Sequence, residues 1–101
     1  MNKNRLSGLM GLCVRARQAS FGEEGCRKAI QSGQSTLLLV DGGASANTLK
    51  RYQDLCERAG VRMEVLPEGQ MASATGRPGM AMAVLKGPLA DGMISVLNQD
   101  A

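Results

Sequence analysis

The apolar run STLLLV, residues 35–40, constrains the fold of this chain more than any other segment. Its consecutive apolar residues leave no alternating polar face, so a strand formed from it is apolar on both sides. Such a strand needs cover on both faces, which a sheet lying between two helical layers provides. The DGG sequence that follows, residues 41–43, is typical of a turn that ends the strand.

Helical and extended patterns alternate along the rest of the chain. Helical spacing of apolar residues, with capping and glycine stop signals, predicts helices over 4–18, from Gly22 to a stop at Gly33, from an N-cap at Ser45 to a stop at Gly60, over 68–75, and from Pro88 onward. Extended patterns predict further strands over 19–21, 61–66 and 80–85. This order predicts an α/β fold, a three-layer α/β/α sandwich with a mixed four-stranded sheet, in a single domain over 1–101.

Composition argues against several classes of enzyme and metal site. The 101 residues include no histidine, which excludes His-dependent triads, His general bases and His metal ligands. Cys13, Cys26 and Cys56 are widely spaced with no C-x-x-C pair, so we expect buried thiols rather than a disulfide framework or a zinc site. The dinucleotide and P-loop fingerprints are also missing. We therefore expect a protein that is not an enzyme and that uses no cofactor or metal.

One enzymatic interpretation stays open at the end of the apolar strand. Asp41 occupies a position where α/β proteins often bind small molecules. The same residue opens the DGG turn, and we favour this second role because aspartate and glycine are the residues that turns require.

The chain carries no pattern typical of a membrane or secreted protein. No segment approaches 18 consecutive apolar residues, so no transmembrane helix is expected. The N-terminal segment is interrupted by Arg15 and Arg17 and lacks the apolar region of a signal peptide. We expect a cytoplasmic protein with no membrane partner.

Positive charge is concentrated in the first third of the chain. Of the net charge of +3, residues 1–30 contribute six basic and two acidic residues, and the remainder contributes six basic and seven acidic residues. Such a region is typical of a protein with an anionic partner, most often nucleic acid, although a solvated helix face explains it equally well. Because Phe21 and Tyr52 are the only aromatic residues, we expect recognition of a folded RNA rather than stacking of splayed bases.

The stretch GEEGCRKAIQSG, residues 22–33, places two acidic residues and then two basic residues near a helix start. Glu23 and Glu24 are adjacent, so they point about 100° apart and do not form a catalytic carboxylate pair. A carboxylate here repels phosphate but accepts hydrogen bonds from a guanine edge, and Lys28, one turn after Glu24, reaches a base acceptor or a phosphate. Arg27 and the first-helix arginines hold the RNA backbone. The alternative is an acidic first turn that complements the helix dipole, with solvated basic residues behind it.

Four motifs occur in a specific order: G-E-E-x-x-x-K-A-I-x-S-G, LLLV-D, A-S-x-N-T and A-T-G-R-P-G. Together they resemble the L-seven-Ae / L-thirty-e family of ribosomal proteins over nearly the whole chain, and most of all its compact bacterial YlxQ-type branch. The resemblance implies a three-layer α/β/α sandwich that binds kink-turn RNA, a sharply bent internal loop with tandem G·A pairs. It also implies RNA-facing residues at the start of the second helix and in the loop before the last strand: Gly22, Glu23, Glu24, Gly25, Arg27, Lys28, Thr75, Gly76, Arg77 and Pro78.

Two functional hypotheses follow. The first is a non-enzymatic RNA-binding protein that recognises kink-turn or rRNA-like structured RNA, with the ribosome as a partner and no DNA expected. In it, Gly22 and Gly25 permit close approach of a backbone. The second is a protein-interaction or scaffold domain of the same fold with weak or lost RNA binding. It draws on departures from the family pattern: archaeal and eukaryotic members typically carry Asn-Glu where this chain has Glu24-Gly25, and often Thr in place of Arg27.

Overall fold

The structure, a computed structural model, describes residues 3–77 and 79–99. Helices and strands alternate within these ranges in the predicted order: α1 (Lys3–Arg15), β1 (Ala19–Phe21), α2 (Gly22–Gln31), β2 (Ser35–Asp41), α3 (Ala46–Ala59), β3 (Arg62–Leu66), α4 (Gln70–Thr75), β4 (Ala81–Leu85) and α5 (Pro88–Gln99). Within the described residues, no helix has the length and apolar character needed to cross a membrane.

The first helix ends earlier than the predicted bounds of 4–18. Arg17 has a φ of 57°, a left-handed conformation that does not continue a right-handed helix. The Gln18 N–H donates to the Cys13 carbonyl at 2.9 Å and closes the helix end. The chain is thereby turned into β1 at Ala19.

The four strands form a mixed sheet, as predicted. Its strand order is β1-β4-β2-β3, in which β4 pairs antiparallel with β1 and β2, and β2 pairs parallel with β3. The central strand β2 is fully buried from Leu37 to Val40, each with 0% exposure. The apolar run at 35–40 is therefore covered on both faces.

Alternate residues of β2 point into two separate cores. Leu37 and Leu39 belong to the first core, whose helical members come from α1, α4 and α5: Leu6, Met10, Cys13, Met71, Ala90, Met93 and Val96. Leu38 and Val40 belong to the second core, whose helical members come from α2 and α3: Cys26, Ala29, Ile30, Tyr52 and Cys56. The predicted three-layer α/β/α sandwich is confirmed, with α2 and α3 covering one face of the sheet.

The third helix is capped at both ends as the sequence predicts. The Ser45 hydroxyl accepts a hydrogen bond from the Thr48 N–H at 3.2 Å, which satisfies one of the free donors of the first turn. Gly60 ends the helix in the left-handed conformation, with a φ of 70°. These caps fix the length of α3, which forms the outer layer together with α2.

All three cysteines are buried free thiols, as predicted. Burial raises the pKa of Cys13, Cys26 and Cys56 from the ordinary 9.0 to about 11. This rise leaves roughly 100-fold less thiolate at neutral pH.

We therefore expect a thiol reagent such as DTNB to react about 100-fold more slowly with the native protein than with protein unfolded in guanidinium. The rate is measured from the absorbance of the thiolate that the reagent releases. Rapid reaction of one thiol in the native protein would contradict the packing of its core.

Candidate nucleic-acid interface

The second helix begins with an exposed turn that no side chain caps. Phe21, at the N-cap position, has an extended backbone and makes no capping hydrogen bond. Gly22 follows with a φ of 79°, a conformation that strains any residue with a side chain, although the space around it is open. Among the described residues, no side chain accepts from the first N–H groups of α2, and residues 22–24 are exposed.

Glu24 and Lys28 lie one turn apart on the exposed face of α2. Lys28 forms no ion pair with another described residue, so its ammonium group is available to a ligand. Glu24 pairs with Arg27 along the helix. Both of these side chains remain largely exposed, and pairs of this kind contribute at most about 1 kcal/mol, so an RNA ligand can displace them.

Glu23 faces a different neighbour from Glu24, as their angular separation on the helix predicts. Its Oε1 atom accepts a hydrogen bond from Nη2 of Arg51 on α3 at 3.1 Å. Together with Arg27 and Gln31, it lines one wall of a cavity between α2 and α3, which we call the α2–α3 cleft; Tyr52 lies on the opposite wall. Sequence reasoning did not foresee the ion pair with Arg51 because the partners lie far apart in the chain.

The loop after α4 lies against the start of α2. The Arg77 guanidinium stacks over the Phe21 ring, with its central carbon 4.2 Å from the ring centroid. Cation–π contacts at exposed sites are worth about 0.5–1 kcal/mol. Since Phe21 directly precedes Gly22, this contact brings together the two predicted segments, 22–28 and 75–77.

Thr75 and Gly76 determine how the chain leaves α4. The Thr75 hydroxyl donates to the Met71 carbonyl at 2.7 Å and accepts from the Arg77 N–H at 3.2 Å. Gly76 ends the helix with a φ of 70°, and its N–H donates to the Ala72 carbonyl at 2.8 Å. Thr75 is therefore held by its own helix and positions Arg77. Pro78, the remaining predicted site residue, lies outside the described residues.

Asp41 bonds to the start of α4 and to Met80, so it ties both flanks of the loop after α4 to the end of β2. Its side chain is buried, and its carboxylate accepts hydrogen bonds from the N–H groups of Gly43 (2.9 Å), Gly69 (3.0 Å) and Met71 (3.2 Å). Its own N–H donates to the Met80 carbonyl at 2.7 Å, directly after the loop. Burial raises the pKa of Asp41, but the three N–H donors outweigh burial and leave the pKa below its ordinary value. This geometry accounts for the DGG sequence as a structural turn.

Gly25 packs towards the sheet rather than towards solvent. A Cβ atom built at Gly25 would lie 3.6 Å from the Cβ of Ser20, which is an ordinary contact. The protein's own packing therefore tolerates a small side chain at this position. A requirement for glycine here would have to come from a bound partner.

Arg15 and Arg5 of the first helix have different neighbours, and only Arg15 lies near the loop after α4. A Cβ built at Gly11 would lie 3.4 Å from the Ala74 carbonyl oxygen and 3.6 Å from a guanidinium nitrogen of Arg15. Arg15 thus lies beside the end of α4, next to the loop that carries Arg77. Arg5 instead donates to Gln99 on α5 at 3.0 Å.

Comparison with known proteins gives structural matches without a sequence family. No protein-family model matches this chain, and no curated protein matches its sequence. A solved structure of a protein with unknown function from Bacillus halodurans is 27% identical, with a TM-score of 0.86 over 93% of this chain and 97% of that one. The Giardia lamblia 15.5kD RNA binding protein is 14% identical, with a TM-score of 0.78 over 97% of this chain and 86% of that one. The second match, at this low identity, shows a shared fold.

Proposed function

We propose that this chain is a non-enzymatic, cytoplasmic RNA-binding protein of the L-seven-Ae / L-thirty-e type that recognises a kink-turn or a similarly bent RNA, in association with the ribosome. In this function Glu24 and Lys28 contact base edges, while Arg77 and Arg15 contact backbone phosphates. Gly22 leaves the start of α2 open to the RNA.

The observation that carries the proposal is the stacking of Arg77 on Phe21. It joins the start of α2 and the loop after α4 into one exposed surface. That surface combines a carboxylate acceptor, a free ammonium group, a guanidinium group and unpartnered helix N–H groups. A base edge with adjacent phosphates offers the complementary donors, acceptors and negative charges. The fold shared with an RNA binding protein from Giardia lamblia adds support.

Replacing Lys28 with alanine is expected to weaken binding to a short kink-turn RNA by about 1–3 kcal/mol, because a contact to a base edge is lost. We would measure the dissociation constant by filter binding over a salt series, beside a straight duplex of equal length. Wild-type protein should prefer the kinked RNA, and the Lys28→Ala variant should lose most of that preference.

Lys86→Ala is the matched control because it removes the same charge from an exposed position. Lys86 follows the end of β4 opposite to the loop, where its N–H donates to the Gln34 carbonyl at 2.9 Å. This variant should retain the preference for kinked RNA. Equal affinities for the Lys28→Ala and Lys86→Ala variants would remove Lys28 from the site.

A protein-interaction or scaffold domain of the same fold is the second candidate function. The observation in its favour is that Glu24 forms an ion pair with Arg27, and Glu23 forms one with Arg51. These two ion pairs reduce the positive charge of the surface. Phosphate contacts make binding fall steeply with salt. Weak, equal binding to both RNAs, together with a salt-insensitive protein partner, would favour this second function.

A further inference from the structure

The α2–α3 cleft is a cavity with several charged lining residues beside the proposed RNA surface. Its volume is about 230 Å³, which is below the roughly 300–1,000 Å³ of sites that enclose a whole small molecule. A cavity of this size suits one ring-sized group. Because Glu23 lines the cleft and Glu24 belongs to the RNA surface, the two sites adjoin at consecutive residues.

Tyr52 presents its hydroxyl to this cleft. Its side chain is only 5% exposed, and no described residue forms a hydrogen bond with its hydroxyl. Among the described residues, every side-chain oxygen or nitrogen that is fully inaccessible to solvent has a hydrogen-bond partner. The Tyr52 hydroxyl has no such partner, so it must be accessible, and we infer that it opens into the cleft that Tyr52 lines. Buried tyrosine hydroxyls normally have hydrogen-bond partners. This one marks a position for a polar atom of a ligand.

The hydroxyl remains neutral at physiological pH. Burial raises the pKa of Tyr52 to about 12; nearby Cys26 and Glu23 also raise it, and Arg51 opposes them. A neutral phenol both donates and accepts a hydrogen bond, so it can pair with either kind of ring atom.

The charges of the cleft nearly balance, as a site for a neutral base requires: Arg27, Arg51 and Arg58 are positive, and Glu23 and Asp54 are negative. Arg27 and Arg58 come from opposite walls, and guanidinium planes stack on nucleobases. Asp54 lines the same cleft and forms no ion pair with another described residue. A carboxylate repels phosphate but accepts hydrogen bonds from the N1–H and amino groups of guanine. The arginines thus replace the aromatic platform that the sequence lacks.

We propose that the α2–α3 cleft receives one unpaired guanine of the bound RNA, stacked between Arg27 and Arg58, with Asp54 and Tyr52 hydrogen-bonded to its polar edge. The inference rests on the proposed function, because an RNA strand that reaches Glu24 is needed to bring a neighbouring nucleotide to the cleft.

The test uses a kink-turn RNA in which each unpaired nucleotide is replaced in turn by an abasic residue. For the wild-type protein, we expect one position at which the abasic change lowers affinity about 10-fold, as befits the loss of a stacked base. For Arg58→Ala the loss at that position should fall below about 2-fold, since the platform is already gone. Tyr52→Phe retains the buried ring and should lower affinity for the unmodified RNA about 5-fold. Inosine at the same position, which lacks the amino group, should weaken wild-type binding by a similar factor.

Lys86→Ala serves as the control for loss of one positive charge, because Lys86 is exposed after the end of β4 that lies opposite to the loop. It should retain the full abasic effect. If the wild-type protein binds the RNA but each abasic change costs wild type, Tyr52→Phe and Arg58→Ala the same factor, the cleft takes no base and the inference is overturned while the proposed function stands. If the wild-type protein prefers no kinked RNA at all, the proposed function fails and the inference falls with it.

Discussion

Replacing Asp41 with alanine is expected to lower the free energy of unfolding by about 3–5 kcal/mol, because three backbone N–H groups lose their acceptor in a buried site. Asp41→Asn should cost less, about 1–3 kcal/mol. Its amide oxygen can still accept from Gly69 and Met71, which bond to Oδ1, while the N–H of Gly43, which bonds to Oδ2, is lost. Urea unfolding followed by circular dichroism measures both variants.

The effect of Asp41 depends on pH with a defined sign. Its pKa is lower in the folded than in the unfolded state, so the unfolded chain binds the proton more readily. The stabilisation is therefore complete above the unfolded-state pKa of about 3.9 and is lost as the pH falls through the lower folded-state pKa. The difference in stability between wild type and Asp41→Asn should thus be largest near neutral pH and shrink in strong acid.

Asp91→Ala is the control for this series, since Asp91 is exposed in the first turn of α5. It should cost less than about 1 kcal/mol through the helix dipole. Asp41→Ala also frees the start of α4, whose far end leads into the loop, while the backbone bond from residue 41 to the Met80 carbonyl remains. We therefore expect weaker RNA binding by a variant that is still folded. An Asp41→Ala protein as stable as Asp91→Ala would show that the carboxylate does not hold the segment together.

The fold could be predicted from the sequence because its signals are local. The apolar run of β2, the Ser45 cap and the Gly60 stop each act within a few residues, and all three are confirmed. The predicted end of α1 was three residues too late, because a left-handed conformation at Arg17 has no sequence signal comparable to a glycine. Helix propensity at 16–18 is outweighed there by the turn into β1.

The arrangement of the candidate site was predictable only in part. The residues at the start of α2 could be selected from their charge and spacing, and the loop after α4 from the family resemblance. The contacts that assemble them join distant positions: Arg77 with Phe21, and Glu23 with Arg51. The role of Asp41 likewise depends on N–H groups of a helix much later in the chain. Such pairings follow from tertiary packing, which no local pattern encodes.

Leu38→Ala and Leu39→Ala are each expected to lower the free energy of unfolding by about 2–5 kcal/mol, because each removes buried methyl groups and leaves a cavity. The two side chains are neighbours in β2, both with 0% exposure, yet they belong to different cores. Leu38 supports the layer of α2 and α3, and Leu39 supports the layer of α1, α4 and α5. Comparable losses on urea unfolding, with unchanged dependence on denaturant, are the result expected of a sheet covered on both faces.

Leu12→Ala provides the matched control, because Leu12 lies on α1 with 44% of its surface exposed. The same chemical change there should cost no more than about 0.5 kcal/mol. A small cost for Leu38→Ala beside a large one for Leu39→Ala would mean that α2 and α3 pack loosely on the sheet. The proposed RNA surface and the α2–α3 cleft would then lack a rigid support, since both are built on α2. Equal, large costs would instead place α2 on a well-packed core, as precise recognition of a base edge requires.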